Sequence, residues 1–118
     1  MVRDERLREL IEKAKQQSKT FQIAEGVTIS IPRLTINDCV KLEKELGINL
    51  FGVLMDMART GAASAISYDF QRTIFYHALK KSNPDLTIEE AGDIMSLMNA
   101  ADLGRALAWI LVGMEGTA

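Results

Sequence analysis

The sequence predicts a mainly helical small domain with an N-terminal β-hairpin, α+β by strict count, on three observations. The apolar period switches from two to about 3.6 near Thr35. Helix-start signatures recur at Thr35, Ser67 and Thr87. The 118 residues are 47% hydrophobic and 25% charged, the balance of a globular chain able to bury its own core. A single domain over residues 1–118 follows, with an N-terminal amphipathic helix in 1–20, a hairpin in 21–34 and a helical body in 35–118.

Within the first segment, residues 3–18 carry the helical period. Leu7, Leu10, Ile11 and Ala14 fall at i, i+3, i+4 and i+7, which places them on one face. The stripe is narrow, so this helix packs loosely or awaits a partner. From Phe21 the apolar residues alternate: Phe21 and Ile23, then Val27, Ile29 and Ile31, with Glu25-Gly26 between the runs. Alternation around a glycine break predicts a hairpin, and Pro32 suits the end of its second strand. A lone hairpin is marginal in water, so it should lie against the helices or pair with another chain.

After Thr35 the pattern is helical. Thr35-x-x-Asp38 reads as a capping box and Gly47 as a helix stop, with Cys39, Leu42 and Leu46 on a shared face between them. Asn49 caps a short helix through Met57, ended by a linker over residues 60–64. Ser67 opens a helix to about Lys81, striped by Phe70, Ile74, Ala78 and Leu79 and stopped by Ser82-Asn83-Pro84. Thr87-Ile88-Glu89-Glu90 is a full capping box, followed by Ala91, Ile94, Met95 and Met98 at helical spacing. Asp102 is placed to cap the last helix, where Leu103, Leu107, Ile110, Leu111 and Met114 repeat.

The sequence carries no catalytic pattern. His77 is the only histidine and has no serine, cysteine or ligand set pointing to it; it reads as a half-buried, hydrogen-bonded residue at a helix edge. Cys39 has no CxxC partner and reads as a small buried hydrophobe. Gly-rich phosphate loops and HExxH are absent from the sequence. Glu89-Glu90 and the Glu43, Glu45 pair fall in capping or solvent-facing positions, and the six methionines read as core filling. No metal or organic cofactor is expected, and no enzymatic activity. A lone cysteine favours a reducing compartment, the charged first residues do not resemble a signal peptide, and the apolar run Ala106–Val112 is far short of the ~20 residues that span a bilayer. The expected location is the cytoplasm, with no membrane partner.

Charge is unevenly spread around a net −2. Residues 1–20 hold six basic and four acidic groups, whereas residues 83–118 hold six acidic groups against Arg105. The nearest thing to a basic cluster, Arg72, Lys80 and Lys81, reads as an ordinary solvated face rather than a phosphate-binding one, so no nucleic-acid partner is expected.

Two stretches carry a family resemblance. Leu34-Thr35-Ile36-Asn37-Asp38 through Leu42-Glu43-Lys44-Glu45-Leu46-Gly47 resembles the first block of small phage tail assembly chaperones, a family with relatives in gene transfer agents and prophages. Tyr68 to Leu79, followed by Ser82-Asn83-Pro84-Asp85-Leu86-Thr87-Ile88-Glu89-Glu90-Ala91-Gly92-Asp93-Ile94, is similar to the second block and is the more specific match. The resemblance spans roughly residues 27–112, and the charged helix before it departs from the pattern of many relatives. It implies a non-enzymatic protein that binds the tape measure protein, and tail tube protein with it, during tail assembly. The alternative, a small helical DNA-associated regulatory protein, would build a helix-turn-helix from two of the short helices. The acidic last third and the lack of a basic recognition helix weigh against that alternative.

Partner contact should use apolar faces that one small core cannot absorb. The first helix offers Leu7, Leu10 and Ile11; the last offers Leu107, Trp109, Ile110, Leu111 and Met114 around most of its circumference. Both terminal helices cannot be central, so at least one should pack on another chain, a client or a second copy of this one.

Overall fold

The computed structural model describes residues 4–60 and 67–112. Among them are α1 (Glu5–Lys15), β1 (Ser18–Ala24), β2 (Val27–Pro32), α2 (Ile36–Leu46), α3 (Leu50–Thr60), α4 (Tyr68–Lys80), α5 (Ile88–Leu97) and α6 (Ala100–Val112). The predicted class, helices with one antiparallel hairpin, is what the chain adopts. Most of the linker expected at 60–64, and Met114, lie outside the described residues.

The hairpin is longer than its apolar alternation implied. It begins at Ser18, where Ser18 opposes Pro32 and Lys19 opposes Ile31, so the first helix ends at Lys15 and not in the 18–20 region. Ser18 to Thr20 contains no apolar residue; it extends because backbone pairing with the apolar β2 satisfies its amides. Gly26 turns the chain at φ 73°, a left-handed conformation that costs a side-chain-bearing residue strain. A register shift between Gln22 and Ala24 accommodates that turn. One face of the ribbon carries Phe21, Ile23, Ile29 and Ile31, which pack into the core. Ile31 is fully buried.

Four helices, α2 to α5, start where their caps predict. The Thr35 hydroxyl accepts from the Asp38 amide at 3.2 Å while the Asp38 carboxylate accepts from the Thr35 amide at 2.9 Å. Thr87 and Glu90 repeat the arrangement at 3.1 and 2.9 Å, and the Ser67 hydroxyl accepts from the Phe70 amide at 3.1 Å. Asn49 caps α3, accepting from the Gly52 amide at 3.0 Å. A Cβ at position 52 would come within 2.9 Å of that Asn49 side chain, so the glycine leaves room for the cap. The last helix is capped by Asn99, which accepts from the Asp102 amide at 2.8 Å, and not by Asp102 as its sequence position suggested. Asp102 sits one turn in, where its carboxylate pairs with Arg105.

The core forms where α4 packs on α5, α6 and β2, and where α6 packs on both strands. Ile74, Phe75, Ala78 and Leu79 of α4 are fully buried, so the inward face is turned from the predicted stripe: Phe75 is central and Phe70 only flanks the cluster. Ala106, Leu107 and Ile110 of α6 are fully buried as well. The Trp109 indole donates to the Ile31 carbonyl at 2.8 Å, and the Leu34 amide donates to the Ile110 carbonyl at 2.9 Å, tying hairpin to helix. Met95 and Met98 fill the core as expected, whereas Met55 is exposed, and so is Leu46, which does not share the burial of Leu42. No helix among the described residues is long and apolar enough to cross a membrane.

Candidate partner-binding surface

The structure divides the predicted contact residues into two groups. Leu107, Ile110 and Leu111 lie in this chain's own core, because α4 on one side and the hairpin on the other close over α6. They are not available to a partner. Trp109 is half-buried beside them, held by its bond to Ile31 and with the Lys19 ammonium 5.9 Å from its ring centroid. The first helix is the opposite case. None of its residues is buried; Leu7 and Leu10 are 46% and 53% exposed, and Ile11 is partly covered.

Local chemistry explains why α1 still forms. Asp4 caps it, accepting from the Arg6 amide at 2.9 Å and the Leu7 amide at 3.3 Å. Glu5 lies in its first turn and Lys13 and Lys15 in its last, the signs that the helix dipole favours. Lys15 reaches Glu12 at 3.4 Å. Eleven residues are nonetheless near the lower limit for a helix that draws little from tertiary packing.

Further apolar residues stand in solvent on the short helices α2 and α3. Phe51 and Met55, one turn apart on α3, are 68% and 55% exposed, and Ile36 and Val40 form a similar pair on α2. What positions α3 is Glu43, whose carboxylate accepts from the Leu50 amide at 2.7 Å and the Phe51 amide at 3.4 Å. It thereby caps the N-terminus of the next helix and fixes the α2–α3 corner. The only sequence signal for this was a carboxylate seven residues before an uncapped amide.

The polar groups converge on a small cleft of about 130 Å³ between α2 and α4, lined by Leu34, Asp38, Lys41, Leu42, Glu45, His77 and Lys81. Lys81 donates to Asp38 at 2.7 Å and to the Arg33 carbonyl at 2.8 Å. Burial pushes the Asp38 carboxyl up, but the Lys81 ammonium and the Thr35 bonds outweigh it and hold that group below its ordinary range. His77 is half-buried as expected, but its Nε2 stands 3.9 Å from Glu45, beyond hydrogen-bond reach. Burial lowers its pKa and Lys80 lowers it further, against a raising effect of Glu45. Cys39, half-buried, has its thiol pushed up by burial and by the Asp38 and Glu43 charges, so it is a poor nucleophile. Among the described residues no set of three His, Cys, Asp or Glu is placed to hold a metal.

The basic residues of α4 and its C-cap, by contrast, are engaged separately. Arg72 reaches Asp69 at 3.4 Å, the Lys80 ammonium lies 5.4 Å from the Tyr76 ring centroid, and Lys81 is spent on Asp38. They offer no joint phosphate-binding face. Comparison with protein-family models, with curated proteins and with solved structures gave no match.

Proposed function

We propose that the chain is a non-enzymatic phage or prophage tail assembly chaperone, acting in the host cytoplasm, that binds the tape measure protein and also tail tube protein. The observation that carries this reading is the likeness of residues 34–47 and 68–94 to the two blocks of that family. The surface is compatible with the work: apolar side chains stand exposed on three short helices, and among the described residues the cleft between α2 and α4 is lined by no hydroxyl or thiol nucleophile beside its histidine. The mechanism is reversible burial of apolar client segments against α1, α2 and α3, each contact weak and the sum effective through multivalency.

Coexpression tests it. A tape measure protein that aggregates alone should be recovered in soluble complex when this chain is present, and Leu7→Ser with Ile11→Ser should lower that recovery several-fold. The same double variant should melt within a few degrees of the natural chain, since α1 buries no residue. A tape measure protein equally insoluble with and without the chain overturns the reading.

A further inference from the structure

Given the chaperone reading, on which this step rests, we infer that α1 is the docking element and that it selects an amphipathic protein helix whose apolar stripe is edged by aspartate or glutamate. Each residue of α1 turns about 100° around the helix axis, which sets the angular order of its side chains. Leu7, Leu10, Ile11 and Ala14 share one face. Arg8 and Lys15, two turns apart, run along one border of that face, and Arg6 and Lys13 run along the other. Glu5, Glu9 and Glu12 occupy the back. The stripe is therefore basic on both borders, with Leu7 and Leu10 about half exposed between them.

Long basic side chains flanking an apolar seam lay their methylenes along it and hold their charges at its rim. A partner helix seated on the seam meets those charges with its own border positions, which set partner choice in paired helices. Acidic borders are attracted from both sides; basic borders are repelled from both. The same logic disfavours α1 pairing with α1 of a second copy, because basic would face basic. It also disfavours an anionic membrane. The polar back of α1 is acidic, and Asp4, Glu5, Glu9 and Glu12 cancel Arg6, Arg8, Lys13 and Lys15, whereas a surface-bound helix is basic on its polar face. Covering the stripe would supply the tertiary stabilisation that an eleven-residue helix otherwise lacks.

The test uses the full chain and two designed helical peptides, identical in their leucine seam and differing only in Glu or Lys at the border positions. Fluorescence anisotropy at low salt should show the Glu-bordered peptide binding at least about tenfold more tightly, with the gap narrowing as salt is added. The double variant Arg6→Glu with Arg8→Glu leaves one acidic and one basic residue on each border and should erase the preference; it adds acid near the helix N-terminus, which the dipole tolerates, and circular dichroism verifies the helix. Equal binding of both peptides, or a preference unmoved by the double variant, overturns the inference. So does cosedimentation with phosphatidylserine vesicles without peptide discrimination, or dimerisation that Leu7→Ser abolishes. A chain that sorts the peptides but leaves tape measure protein insoluble keeps this inference and sinks the chaperone reading; the reverse result does the reverse.

Discussion

His77 sits where desolvation and two charges act on one imidazole: the cleft and Lys80 disfavour its cation, and Glu45 at 3.9 Å compensates in part. The net effect is a folded-state pKa below the ordinary 6.5. The unfolded chain therefore binds the proton first, so the stability owed to a neutral His77 is full above pH 6.5 and is lost as pH falls through the folded value. Asp38 works in a separate window. Its carboxyl is lowered by Lys81 and Thr35 against the opposing effect of burial, so its contribution holds above the ordinary carboxylate range and fades only in stronger acid. Thermal melts between pH 7.5 and pH 5 should therefore fall for the natural chain and fall less for His77→Gln. Parallel profiles for the two proteins would refute this account of His77.

Among the elements, the α2–α3 corner depends on one side chain. Glu43 accepts two amides at the start of α3, alongside the Asn49 cap, and the exposed Phe51 and Met55 ride on the helix so held. Glu43→Ala leaves the Leu50 amide, part-buried at 2.7 Å from its lost partner, without an acceptor. The cost should be about 1–2 kcal/mol, read as roughly 5 °C in the melting midpoint. Glu43→Gln, which keeps an acceptor, should lose less; equal melting of all three proteins would exclude the cap. This corner also marks what one-dimensional reading can reach. Thr35, Ser67 and Thr87 were legible as caps because their partners lie three residues on. Glu43 and Asn99 were missed, the first because it spans seven residues, the second because the nearby Asp102 offered an equally good local signal. Periodicity likewise identified the apolar residues of α6 but not their covering, which comes from α4 and from a hairpin about 80 residues earlier in the chain. The α1 stripe was legible for the converse reason: its exposure needs no distant partner to explain it.

At the scale of the whole molecule, the buried core and the exposed apolar stripe of α1 belong to different parts of the chain. The buried cluster draws on both strands and on α2 through α6, with the fully buried aromatic and branched residues concentrated in β2, α4 and α6. The first helix adds nothing to that cluster, although it carries an apolar stripe and a cap of its own. Its attachment to the body runs through Gln17, whose carbonyl accepts from the Arg33 amide at 3.1 Å and whose side chain accepts from Arg33 at 3.2 Å, both beyond the helix end. Removing residues 1–16 keeps those bonds and the Ser18–Pro32 pairing. The shortened chain should thus unfold in one cooperative step with its midpoint within about 5 °C of the intact protein. Under the proposed function, its binding to the tape measure protein should drop at least several-fold, because the seam of Leu7, Leu10 and Ile11 is gone while the exposed apolar residues of α2 and α3 remain. Calorimetry and pull-down on the same preparation separate the two outcomes. A truncated chain that melts far lower would show α1 to be part of the fold, and one that binds undiminished would pass the contact to Phe51, Met55, Ile36 and Val40.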